Sequence, residues 1–247
     1  MTFRPLLVVA LALALLTAGC LGTGQAQSGD DATRGDGSVG PTIGVDATAD
    51  VEAEPDLAVV RVAVEATADS AEAARGQVAT DADTMRQALR DAGLPADAIA
   101  TTSFGVQAQY DYANRAPKLV GYRAVHAFAI EVRDVDRAGE IVDLAVDNGA
   151  TRVDGVQFTL TDETRDALRE RALTDAMTAA RADADTVAAA GGLTVTGVEH
   201  ASTGSVSSPF PGPVFAERAA ADGATSFSPG PVTVSATVHV TYAAASN

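Results

Sequence analysis

Apolar and polar residues alternate with period two in seven stretches of this chain and recur near every 3.6 residues in three others, and the order of these stretches sets the expected fold. Ile43, Val45, Ala47, Ala49, Val51 and Ala53 interleave with Asp46, Thr48, Asp50 and Glu52, as a strand with one buried face requires. Pro55-Asp56 marks a turn, and Val60, Val62, Val64 and Ala66 set against Arg61 and Glu65 mark a second strand over Leu57 to Thr67. The two are expected to pair as a β-hairpin. Asp69 with Glu72 resembles a capping box, and Ala71, Ala74, Val78, Ala82, Met85 and Leu89 then predict a helix that Gly93 and Pro95 stop.

Phe104, Val106, Ala108, Tyr110 and Tyr112 alternate with Gln107, Gln109 and Asp111, and after a turn at Asn114 to Lys118 come Val120, Tyr122, Ala124, Phe128, Ile130 and Val132. This reads as a second hairpin with long strands. Ala138, Ile141, Val142 and Ala145 predict a short helix ending at Asn148-Gly149, and Val156, Phe158 and Leu160 a fifth strand. The third helix runs from Thr161 or Asp162 to Ala190, with a stripe of Leu168, Ala172, Ala176, Ala180, Ala184 and Val187 that should lie close to its sheet. Val195 to Ala201 and Val232 to Tyr242 complete seven strands. The order β-β-α-β-β-α-β-α-β-β predicts an α+β domain over 42–247 with helices on one face of largely antiparallel sheets.

Between the last two strands lies a Pro/Gly-rich stretch at about 202–231 that carries Phe210, Val214, Phe215 and Phe227. A loop of that length in a compact domain is usually functional or mobile, so its apolar residues are read either as an interaction surface or as plain loop packing.

Ahead of the domain, Leu6 to Leu16 is an unbroken apolar run of eleven residues, about 16 Å as a helix and roughly half a bilayer core. It reads as the apolar region of a signal peptide over 1–19. Ala18-Gly19 before Cys20, the only cysteine, resembles a lipobox, in which that thiol is lipidated and becomes the new N-terminus; the plainer alternative is a secretory signal cleaved near Ala18. Residues 20–41, mostly Gly, Ser, Thr, Asp and Gln, cannot bury enough surface to offset chain entropy and are expected to tether the domain to the outer face of the cytoplasmic membrane. No twin-arginine pair precedes the run, which favours Sec-like export, with the twin-arginine route as the alternative.

Charge narrows the partners. The 247 residues hold 33 Asp and Glu against 17 Lys and Arg, a formal net charge of −16, which argues against nucleic acid or an electrostatically bound anionic surface. The acids are 23 Asp and 10 Glu, and the bases 16 Arg with Lys118 the sole lysine, a salt-adapted composition that points to a halophilic source; an acidic protein from a GC-rich mesophile is the alternative. In molar salt a Debye length of roughly 3 Å removes most of the self-repulsion.

Motifs that carry chemistry are missing. The sequence holds no Gly-rich phosphate loop, no Gly-x-Ser-x-Gly, no His-Glu-x-x-His and no Cys-x-x-Cys, so no catalytic residue, cofactor or metal ligand is assigned. Of three histidines, His126 falls on the apolar side of its strand with Tyr122, Ala124 and Phe128, where it is either a base of tuned pKa or a hydrogen-bonded core-edge residue. His200 and His239 read as surface residues. Acid pairs such as Asp183 with Asp185 and Asp134 with Asp136 are expected from composition alone, and Gly121-Tyr122-Arg123 fits an ordinary strand as well as a binding site.

Taken in series, Gly121-Tyr122-Arg123-Ala124, Ile130-Glu131-Val132-Arg133-Asp134, Ala138-Gly139-Glu140-Ile141-Val142-Asp143, Asn148-Gly149-Ala150 and Val156-Gln157-Phe158 resemble the SIMPL domain family of exported proteins. Val51 to Ala58 resembles the family's opening hairpin, Ala179 to Ala184 its last helix and Pro229 to Ala236 its closing strand, so the likeness covers about Thr42 to Tyr242. The resemblance implies an α+β protein of the periplasm, outer membrane or cell surface, with some bacterial relatives assembled into rings and some linked to oxidative-stress defence. It implies no catalytic residues. The expectation is a non-enzymatic, lipid-anchored protein acting through self-assembly as a homo-oligomer or through partner contact; a small-molecule or envelope-polymer binding module using the 202–231 loop is the alternative.

Overall fold

The computed structural model describes residues 40–113, 116–204 and 224–247. The leader at 1–19 and Cys20 lie outside the described residues, as do Phe210, Val214 and Phe215 of the long loop.

Ten main elements follow in the expected class and order. They are β1 (Thr42–Ala53), β2 (Leu57–Ala68), α1 (Ala71–Asp91), β3 (Ile99–Asp111), β4 (Lys118–Val132), α2 (Ala138–Asp147), β5 (Arg152–Thr159), α3 (Asp162–Ala190), β6 (Leu193–Thr203) and β7 (Val232–Ser246). They build two antiparallel sheets, one of three strands in the order β1-β7-β6 and one of four in the order β3-β4-β2-β5. α3 packs on the first sheet, and α1 and α2 on the second.

The pairing of the first two strands departs from the sequence reading. β1 and β2 do not form a hairpin: β1 pairs along its whole length with β7, from Thr42 opposite Ala243 to Ala53 opposite Val232, while β2 lies between β4 and β5. Alternation states which side chains face inward but not which strand lies alongside, and Glu54-Pro55-Asp56 carries the chain from one sheet to the other instead of reversing it. β3 and β4 do form the expected hairpin.

Each sheet buries one face. In the larger unit Val60, Val62 and Val64 of β2 and Ala124, Phe128 and Ile130 of β4 meet Val78, Met85 and Leu89 of α1 and Ile141 of α2. In the smaller unit the buried residues of α3 are Leu168, Ala172, Ala176, Ala180, Ala184 and Ala188, a strict four-residue step. Four residues turn a helix by about 400°, so this row drifts around the axis, as it must to follow a twisted sheet along 29 residues. The drift places Ala188 inward and leaves Val187 exposed, which corrects the expected end of the stripe. Alanine at every contact after Leu168 lets the helix approach the β-branched face of β7 closely.

Capping follows the residue that can reach the free amides. Ser70, not the Asp69 of the expected capping box, is the N-cap of α1, and its hydroxyl accepts the Ala73 N–H at 3.2 Å. Thr161 caps α3 by accepting the Thr164 N–H.

The C-terminal part of the long loop is docked. Asp143 of α2 accepts the Thr225 N–H at 3.0 Å and its hydroxyl at 2.6 Å. A Cβ on Gly139 would stand 1.9 Å from the Thr225 carbonyl oxygen, so only glycine permits this approach. Phe227 then packs edge-on against Phe158 with ring centroids 5.7 Å apart and joins the main core. Of the apolar loop residues, Phe227 is thus half-buried and packs against the main core.

Candidate functional site

The fourth strand brings His126 to the rim of the main core. Its Nε2 lies 2.9 Å from the Thr101 hydroxyl of β3, its ring sits 4.2 Å from Phe128 and 5.4 Å from Phe104, and the Arg86 guanidinium of α1 stands over Phe128 at 5.0 Å. Burial holds the imidazole below its ordinary pKa of 6.5 and the Arg86 charge adds to the effect, with Asp83 opposing it. The hydrogen bond goes to a hydroxyl, so the ring has no carboxylate to orient it as a general base. The core-edge reading is the one this geometry supports.

The other candidate residues are dispersed. His239, exposed on β7, faces Asp46 of β1, with Nδ1 and Oδ1 2.5 Å apart, and His200 is exposed on β6. Asp185 is engaged by Arg181, Asp183 is exposed, and Asp134 and Asp136 are exposed in the connection from β4 to α2. Among the described residues no group of three or more His, Cys, Asp or Glu side chains converges to hold a metal ion.

Three polar constellations appear that no local pattern announces. Asp56, in the crossover between the sheets, accepts the Thr161 N–H at 2.6 Å, the Thr161 hydroxyl at 2.8 Å and the Thr164 hydroxyl at 2.5 Å. Its partners lie more than a hundred residues on, at the start of α3. Burial pushes the Asp56 carboxyl up, and the hydrogen bonds from Thr164 and Thr161 outweigh it and hold the group below its ordinary value. On the open face of the larger sheet, Glu65 accepts from both Arg123 and Arg152, and Arg152 also reaches Asp154. The third is the Asp143 clamp on Thr225.

Beside the Asp56 latch, where the open face of the larger sheet meets the start of α3, lies a cleft of about 470 Å³. Arg61, Arg133 and Arg165 line it with Glu131, Asp162 and Glu163. Arg61 already donates to Gln157 at 2.9 Å, and Arg165 to Asp162 at 2.5 Å and to the Leu160 carbonyl at 2.7 Å. Its charges largely answer one another, and its described lining contains neither His nor Cys. The arrangement suits contact more than bond-making.

The strand edges differ in how they are finished. β3 and β6 each carry two register irregularities, and β5 slips opposite Arg61/Val62. β1 is regular over all twelve residues and contains no Pro or Lys. Among the described residues nothing pairs with its outer edge, which leaves a row of free N–H and C=O groups.

A family model described as SIMPL, protein of unknown function (DUF541), matches residues 43–242. The chain is also similar to curated relatives. The uncharacterized protein YggE of Escherichia coli strain K12 is 27% identical over 140 residues, covering 56% of this chain and 57% of that protein. The uncharacterized protein YggE of Edwardsiella ictaluri strain 93-146 is 26% identical over 144 residues, covering 57% of this chain and 60% of that protein. The matched stretch thus spans less than two thirds of either relative.

Proposed function

Because the chain belongs to the SIMPL family, we propose that it is an exported, lipid-anchored protein of non-enzymatic type, held by Cys20 at the outer face of the cytoplasmic membrane and acting through self-assembly or partner contact. A role in envelope integrity or oxidative-stress defence is part of the same proposal. The observation that carries it is β1. A regular twelve-residue strand edge without bulge or Pro is open to pairing with another strand, and only charged side chains guard it. Asp46, Asp50 and Glu52 line one side of that edge, so high salt, which screens their repulsion, favours the pairing.

The membrane part rests on Leu6 to Leu16 and on Cys20 directly after Ala18-Gly19. Mass spectrometry of the mature protein is expected to find a lipid-modified Cys20 at the N-terminus; any other N-terminus removes the anchor. Light scattering in molar salt is expected to give a multimer that shrinks when Asp50→Pro interrupts the edge. A strict monomer under those conditions removes the assembly.

A further inference from the structure

Nine large apolar side chains are well exposed among the described residues, and five of them belong to one hairpin. Phe104 is 52% exposed, Tyr110 47%, Tyr112 72%, Leu119 44% and Val120 54%. The last four gather at its far end. β2 supports β4 only as far as Ala68 opposite Tyr122, so beyond that point β3 and β4 continue as a bare two-stranded ribbon. The ribbon leaves the sheet at Gly121, whose φ of +152° and 3.1 Å approach to the Ala68 carbonyl oxygen suit only glycine. One residue later the register slips, leaving Val120 without a partner and setting Tyr110 opposite Leu119 and Asp111 opposite Lys118. The Tyr110 and Tyr112 rings lie 6.3 Å apart.

We propose that this tip is a membrane-contact element, in which Tyr110, Tyr112, Leu119 and Val120 enter the headgroup–acyl boundary of a lipid bilayer and Lys118 extends to the headgroup phosphates.

Size favours lipid over a protein partner. A fully buried aromatic covers about 150–250 Å², so four side chains about half exposed offer roughly 400 Å², half of the ~800 Å² per partner in a stable protein interface. A ribbon only two strands wide also offers little flat surface to match. A bilayer needs neither, because surface elements seat about 5–10 Å deep, and the three steps from Gln109 to Tyr112 span about 10 Å. The side-chain chemistry agrees: tyrosine keeps an apolar ring beside a wet hydroxyl, and lysine buries its stem while its ammonium stays in water. Charge agrees as well. By sequence, residues 110–120 hold Asp111 against Arg115 and Lys118, a net +1, while the chain as a whole carries −16, so this end meets a phosphate surface without the repulsion of the rest. The inference stands apart from the lipid on Cys20 and holds with or without that anchor.

The chain has no tryptophan, so Tyr112→Trp places a single reporter at the tip. In the full chain, phosphatidylcholine vesicles in molar salt are expected to blue-shift the indole emission, and lipids brominated along the acyl chain to quench it. Val153→Trp, on the exposed edge of β5, should show neither effect. Adding Tyr110→Ser, Leu119→Ser and Val120→Ser to the Tyr112→Trp chain should abolish the response while circular dichroism stays unchanged. An indole that ignores vesicles overturns the proposal, as does a response that survives the three serines. A shift that vanishes in molar salt would indicate electrostatic adsorption, and a concentration-dependent shift without vesicles would indicate a second copy over the tip. Either of these also overturns it.

Discussion

Asp56→Ala tests whether the crossover between the two sheets is latched by a charge. The substitution removes the acceptor for the Thr161 amide and for the hydroxyls of Thr161 and Thr164, at the positive end of a 29-residue helix. Hydrogen bonds to a charged group contribute about 1.5–3 kcal/mol each, and three that share one carboxylate are not additive, so the loss should be about 3 kcal/mol. For a domain of this size that lowers the melting temperature by about 6–12 °C. The carboxyl's folded pKa lies below its ordinary 3.8, so the unfolded chain takes up this proton first as pH falls. The stability it supplies is complete above the unfolded value and disappears as pH drops through the folded one. Thermal unfolding followed by circular dichroism in molar salt should show the full gap between the two proteins at neutral pH and a closing gap under acid. Equal melting temperatures at neutral pH, or a gap unchanged well below pH 3.8, would refute the latch.

Gly139→Ala should expel the Thr225 segment, since its Cβ would stand 1.9 Å from a backbone oxygen, and limited proteolysis should then cut near residue 225 with a stability loss of about 2–4 kcal/mol from the Asp143 bonds and Phe227 packing. Ala176→Leu, at a fully buried contact of α3, should lower stability by about 1–3 kcal/mol in chemical unfolding, whereas Thr178→Leu on the exposed face should change it little. Nuclear magnetic resonance should place the His126 titration midpoint below 6.5. Because the unfolded chain gains that proton first, stability should decline as pH falls below about 6.5, and His126→Gln should flatten that decline.

Several features were legible before any coordinates. The alternation of Ile43 to Ala53 and of Val232 to Tyr242, and the stripe from Ala74 to Leu89, each depend on a few neighbouring residues, and the structure places these elements with only small changes at their ends. His126 was likewise assigned to the right face by alternation alone. Phe227 was not: its position between an interaction surface and the core depends on Phe158, sixty-nine residues earlier, and on the Asp143 clamp.

What the chain determined by itself is therefore local: which segments extend or coil, which face each buries, and where glycine or proline must end them, because a short period exposes or hides every side chain in a segment together. The pairing of β1 with β7, the seat of Asp56 under α3 and the bare ribbon beyond Tyr122 were decided only by the assembled structure. Each depends on which of several equally suitable surfaces comes to lie alongside, and backbone hydrogen bonds, identical at every residue, leave that choice to the packing of the whole.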